Sequence, residues 1–237
     1  MVSKAICYHL PVYLYYLYVV TYDFVNIEHG SSGYGGKFKF LTVWNEVFQL
    51  LYFGIATLND FCGSDVRPSH LNSKDVQGRK SILQKLRDML LASVIFPAGM
   101  FVVCTFWGIY AVDRELIFPK KLDGLIPVWL NHALHTFILP LLLVELAIVY
   151  HQFPRKRTGL SVLFTFALAY LIWILWIAYV SDFWVYPVLK VMHAHHRVVF
   201  IGTLLVFFSV LYLIGDFLNQ ILWGKEIQAG VMEMKKK

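Results

Sequence analysis

Residues 125–150 read LIPVWLNHALHTFILPLLLVELAIVY. The stretch holds a single formal charge, Glu145. A helix rises about 1.5 Å per residue, so about 20 such residues cross the hydrocarbon of a bilayer. The stretch therefore reads as a transmembrane helix. It also carries Asn131, His132, His135 and Thr136 within six positions. Hydrocarbon does not solvate such groups, and ionisable side chains inside a span are functional candidates by default.

The rest of the chain agrees with a membrane setting. Its 237 residues are 58% hydrophobic, 17% aromatic and only 15% charged. Soluble domains carry about 25% charged residues. Mean hydropathy is +0.60. Five further apolar runs lie at about 5–22, 40–62, 89–112, 159–181 and 198–223. The first follows Lys4 and ends VVTYDFV, without a small-residue cleavage site, so it is expected to be retained as a span. The expected fold is all-α and integral to the membrane, a six-helix transmembrane bundle forming a single domain over 1–237.

Six spans place both termini on one face. That face holds 14 of the 21 Lys and Arg residues and the other holds 7. The positive-inside rule then puts both termini in the cytoplasm, with the plasma membrane or endoplasmic reticulum as the expected location. The net charge of +6 sits in the connecting loops, which fits anionic headgroups better than nucleic acid. The closing lysines, 235–237, read as a solvated or headgroup-touching end. Pro97, Pro127 and Pro140 are tolerated in or near spans because neighbouring helices re-satisfy freed backbone groups. YGGKF (34–38) reads as a turn before the second span. Cys7, Cys62 and Cys104 form an odd set without a CxxC pair, so they read as small apolar fillers and not as a disulfide framework or zinc site.

Helical spacing organises the polar residues. Thr42, Asn45, Glu46 and Gln49 recur at i, i+3, i+4 and i+7, a single stripe on the second span. Asn131 and His135 share a face of the fourth span, with His132 beside His135. The sixth run carries Thr203, Tyr212, Asp216 and Asn219. Two inward stripes imply one polar pocket. With helix starts near Gly36 and Pro127, Thr42 lies about 9 Å down and His135 about 12 Å down, at similar depths.

A threonine hydroxyl becomes a useful nucleophile once a base removes its proton. A buried imidazole stays neutral and can act as that base. Thr42 with His135 is thus a chemically sensible pair, set against plain interhelical hydrogen bonding. HxxH lacks the spacing and glutamate of a zincin, and no third ligand is visible. His193, His195 and His196, in HAHH, sit beside Arg197 and read as an interfacial polar cap. Trp173, Trp176, Tyr179, Trp184 and Tyr186 read as interface anchors and packing.

Several blocks also resemble a known family. GGKFKFLT (35–42), YAVDRELIFPKKLDGLIPVWLNHALHTFILP (110–140), FPRKRTGL (153–160), WVYP (184–187) and YLIGDFLN (212–219) are similar to the androgen-induced protein family, over about residues 5–224. The resemblance implies a six-span hydrolase of fatty acid esters of hydroxy fatty acids (FAHFAs). It implies Thr42, the threonine of KFLT, as nucleophile. It implies His135, the second histidine of NHxxHT, as the catalytic histidine, while His132 is not credited with catalysis.

Around that pair, Asn131 is a candidate to orient the ring, and Asn45 and Asn131 are candidate oxyanion donors. Lys39 is favoured for the substrate carboxylate, with Lys37, Arg114, Lys120 and Lys121 on the same membrane face. His132 is expected as a neighbour in the pocket. No metal and no cofactor are expected. The expected partners are a lipid substrate with a free carboxylate and the surrounding membrane lipids. A non-catalytic lipid-binding or signalling scaffold is the alternative. A channel or transporter fits less well, because the polar residues crowd toward one end, with Glu145 and Asp216 as exceptions.

Overall fold

The structure is a computed structural model that describes residues 3–67 and 80–234, with side chains to residue 228. Lys74, Arg79 and the lysines at 235–237, which enter the charge argument above, lie outside the described residues. Among the described residues the architecture is helical, without a β-strand. Its helices are α1 (Ile6–Asn26), α2 (Leu41–Cys62), α3 (Ile82–Leu90), α4 (Phe96–Val112), α5 (Val128–His135), α6 (Ile138–Ile148), α7 (Lys156–Ser181), α8 (Pro187–Val191) and α9 (Ala194–Met234). Each expected apolar run contains helix.

Three of these are long and apolar enough to cross a membrane: Ile82–Val112, Lys156–Ser181 and Ala194–Gln228. The first is α3 and α4 joined through a π-helical turn at Leu91–Ile95. Pro97 lies just beyond that turn and has no N–H to give the carbonyl four residues back, which favours a local change of register. α5 and α6 qualify together as a fourth, bent by 42°. α1 and α2 are 21 and 22 residues long, long enough in themselves. Their hydropathy is diluted by Tyr8, Tyr13, Tyr15, Tyr16, Tyr18 and Tyr22 in α1, and by Asn45, Glu46, Gln49, Asn59 and Asp60 in α2.

The bend corrects the expectation of one continuous helix over 125–150. Thr136 adopts φ −124°, ψ −53°, and α6 begins only at Ile138. The cause is Pro140. It cannot donate to the carbonyl of Thr136, and its ring crowds that carbonyl. The chain compensates by wide turns, in which the amides of Thr136 and Phe137 both donate to the carbonyl of His132, at 2.8 and 3.0 Å.

α1 packs along α2, and α4 packs against α6 and α9. The main core runs through Tyr16, Tyr52, Phe53, Phe96, Leu142 and Tyr212, all at most 1% exposed. A smaller core of Val19, Ile27, Leu130, Ala133 and Leu134 docks α5 on α1. This second core fixes where His135 stands. The cysteines are free; Cys7 and Cys62 are exposed on helix surfaces, so the expectation that they fill buried gaps does not hold for them.

The interior also holds a charged cluster that sequence reading passed over. His9 lies 2.6 Å from Asp60 Oδ2 through Nδ1 and 2.9 Å from Glu145 Oε2 through Nε2. Tyr52 donates to Glu145 Oε1 at 2.6 Å. His151 Nε2 lies 3.1 Å from the same oxygen, and its Nδ1 3.4 Å from Asp88, which is also held by Arg87 and Lys80. The cluster ties α1, α2, α3 and α6 together.

Candidate active site

The site forms where the first turn of α2 meets the last turn of α5. The approach to α2 is made by the expected turn: Gly35 and Gly36 have φ of +82° and +51°, conformations that suit glycine. A short 3₁₀ turn at Gly36–Lys39 then leads into Leu41. Three side chains pin this entrance. Tyr170, from α7, donates to the carbonyl of Lys39 at 2.9 Å. Tyr186, from the segment between α7 and α8, accepts from the amide of Leu41 at 3.0 Å. The two phenols lie 2.8 Å apart. Trp173 donates to the carbonyl of Phe38. The orphan amides of a helix start are thereby partly matched. Among the described residues, no backbone carbonyl accepts from the N–H of Thr42, one residue on.

Thr42 and His135 are brought together: Oγ1 lies 3.3 Å from Nε2. The other ring nitrogen, Nδ1, lies 3.0 Å from the backbone oxygen of Asn131 and 3.0 Å from its side-chain oxygen. Both are acceptors, so Nδ1 carries the proton and Nε2 is left with its lone pair toward the hydroxyl. Phe106 of α4 lies flat on the imidazole, with ring centroids 3.7 Å apart and planes 14° from parallel. Trp107 donates to the carbonyl of His135 at 2.8 Å, satisfying a backbone group exposed by the break before α6. The ring is therefore fixed in tautomer, in plane and in height.

The other sequence-predicted residues are placed differently. His132 engages Thr136 through Nδ1 at 3.0 Å and stacks on Trp107, and it lines neither cavity that reaches Thr42. Asn45, Glu46 and Gln49 are buried at 2%, 2% and 0% exposure, so the α2 stripe faces inward. Asn45 accepts from Gln49 at 3.4 Å and is absent from both cavities that reach Thr42. Lys39 is buried, donates to the carbonyl of Ser32 at 2.8 Å and touches the faces of Phe40 and Phe183; it too is absent from those cavities. Lys37 does line one, where it pairs with Asp23 at 2.8 Å. His193, His195 and His196 are exposed, with His195 and His196 rings 4.0 Å apart, beside Arg197 stacked over Trp184.

Sequence reasoning missed Phe106 and Trp107, which look like ordinary packing in an apolar run. It read Tyr186 as an interface anchor and packing, and the phenol also accepts from the backbone at the start of α2. WVYP stood out only as part of the resemblance.

A helical protein with membrane-length apolar helices and a half-buried threonine facing a buried histidine is the class these observations define. The chain belongs to the FAR-17a/AIG1-like protein family, whose model matches residues 4–220. It is 42% identical to the human androgen-induced gene 1 protein over 204 residues, covering 86% of this chain and 84% of that one. It is 37% identical to the human androgen-dependent TFPI-regulating protein over 190 residues, 80% of this chain and 79% of that one. The mouse protein of that second name is 36% identical over 192 residues, covering 80% and 79%. No solved structure matches the chain.

Proposed function

We propose that this protein is an intramembrane ester hydrolase acting on FAHFAs, with Thr42 as nucleophile and His135 as general base. One observation carries the reading: Thr42 Oγ1 faces Nε2 of an imidazole whose Nδ1 is held by two acceptors. That is the arrangement in which a hydroxyl is activated by a base oriented by a third group. Family membership is consistent with it.

The steps balance without a cofactor. Thr42 Oγ1 adds to the ester carbonyl carbon while its proton passes to His135 Nε2. The tetrahedral intermediate collapses, the bond to the hydroxy fatty acid's oxygen breaks, and His135 returns the proton to that oxygen. Water then gives a proton to His135 and adds to the acyl carbon. Collapse releases the fatty acid, and Thr42 Oγ1 recovers its proton. The N–H of Thr42, at the positive end of α2, is a backbone donor that could serve the oxyanion.

The same reading carries the wider picture. The bundle crosses the membrane six times with both termini in the cytoplasm, in the plasma membrane or the endoplasmic reticulum. α1 and α2 span it through burial of their polar faces against one another. The substrate, carrying two chains and a free carboxylate, reaches the site from the lipid.

The test is turnover of a synthetic FAHFA by protein purified in detergent. Thr42→Ala and His135→Ala should each lower the rate at least ~100-fold, the lower end of what a positioned base contributes, with unchanged elution on size exclusion. Near wild-type turnover by either variant rules the assignment out. Two variants that merely unfold, beside a wild type without turnover, would point instead to the non-catalytic scaffold.

A further inference from the structure

Thr42 stands on a wall shared by two cavities, together with Phe106, Ile117 and Tyr186. We infer, on the basis of the hydrolase reading, that the two cavities hold the two arms of the ester separately: the acyl arm between α4, α7 and α9, and the hydroxy-acid arm between α5 and the segment before α2.

The first cavity has a volume of about 140 Å³ and no charged side chain on its walls. Its α4 and α9 faces run from Phe101 to Ile109 and from Phe200 to Phe208, about 12 Å at 1.5 Å per residue. Phe101, Phe166 and Phe208 close it, with Phe208 centroids 4.9 and 6.3 Å from the other two. A hydrocarbon tail is the ligand such walls suit. The second cavity, about 120 Å³, is different. His135 lines it and does not line the first. Asp23, His29 and Lys37 lie in its walls as well.

Two independent features give the arms their places. The base must return its proton to the departing oxygen, so the leaving alcohol belongs on the side that His135 faces. The leaving half also bears the carboxylate, and the second cavity is the one with Lys37 and His29 in its walls. Lys37 is balanced by Asp23. Beyond that pair, His29 is held below the usual histidine range, first by burial and then by Lys39, Lys121 and Lys37 around it. A carboxylate entering here meets Lys37 and His29, whereas the first cavity offers it no charged side chain.

The experiment compares three esters with the wild type and three variants. The substrates are the palmitoyl ester of hydroxystearic acid, its hexanoyl counterpart, and the palmitoyl ester with its free carboxyl methylated. Leu205→Trp, which fills the first cavity, should lower the palmitoyl-to-hexanoyl ratio of kcat/KM about tenfold or more. The same change should leave the acid-to-methyl-ester ratio at its wild-type value. His29→Asp places a negative charge in the second cavity and should lower the acid-to-methyl-ester ratio about tenfold, with the acyl ratio unmoved. Phe101→Leu removes bulk and so avoids overpacking; it should raise the palmitoyl preference and serves where Leu205→Trp does not fold. Crossed effects, or two unmoved ratios, overturn the assignment of arms while the hydrolase reading stands. A wild type without turnover of any ester overturns both.

Discussion

Asn131 holds His135 twice, once through its main-chain oxygen and once through its side-chain oxygen, both 3.0 Å from Nδ1. The duplication makes a specific prediction. Asn131→Ala removes one acceptor and leaves the other, so the tautomer survives with a looser ring. A neutral hydrogen bond is worth about 0.5–1.5 kcal/mol net. Hydrolysis of the FAHFA substrate should fall by roughly threefold to tenfold, far less than for His135→Ala. A loss as large as that of His135→Ala would show that the side chain, and not the carbonyl, sets the proton's position.

Pro140 should matter to a site it does not touch. It breaks the helix four residues before itself and so sets the orientation of the last turn of α5. Pro140→Ala supplies the missing N–H and lets helix continue through Thr136. Misplacement of a catalytic group by about 1 Å can cost about 100-fold. The expected outcome is a fall in kcat of at least about tenfold, with thermal stability in detergent equal to or above wild type. Undiminished kcat would mean that the small core around Leu130 and Leu134 fixes α5 by itself.

The cluster around Glu145 should behave in the opposite way. Glu145 is fully buried and approached by His9, Tyr52 and His151. Removing one member of a buried charged set costs about 3–5 kcal/mol, since its partners are left uncompensated. Glu145→Ala should sharply lower the unfolding temperature measured by size exclusion after heating. Tyr52→Phe deletes only one neutral donor and should cost about 1–3 kcal/mol. Equal stability of Glu145→Ala and wild type would show that the cluster is not a structural tie.

Tyr186→Phe separates packing from hydrogen bonding at the start of α2. The ring stays and the hydroxyl is lost, leaving the amide of Leu41 without its acceptor. An unsatisfied buried amide costs about 1–3 kcal/mol. Stability should fall by about that amount, and turnover should fall with it because Thr42 is the next residue. The check is a paired measurement of thermal unfolding and kcat; an unchanged pair of values would show that water replaces the phenol.

The outline of this fold could be read from the sequence because apolar runs are long and helix period is strict. Asn45, Glu46 and Gln49 recur as a stripe, and they are buried as a stripe. Asn131 and His135, four apart, share a face and touch. The bend between α5 and α6 was not foreseen because Pro140 can be absorbed or can break a helix, and its surroundings decide which. His9, Asp60 and Glu145 were scattered in the sequence across three helices, and nothing local marks them as partners. Lys39 looked free because it is charged and near Thr42. Its engagement with Ser32, through the folded-back turn, is a matter of three-dimensional path. Phe106 gave no signal, since one more phenylalanine in an apolar run is indistinguishable from filler.

The bond between the amide of Leu41 and the hydroxyl of Tyr186 spans 145 positions. During synthesis Thr42 therefore emerges long before the phenol that completes its surroundings. A chain stopped before WVYP would already contain Thr42, Asn131 and His135, yet one side of the pocket would be missing. The Thr42 hydroxyl would be installed early and its surroundings completed late, only after α7 had been placed. Termination between His135 and Tyr186 should accordingly yield a chain that holds Thr42 and His135 without the phenol that completes the entrance to α2.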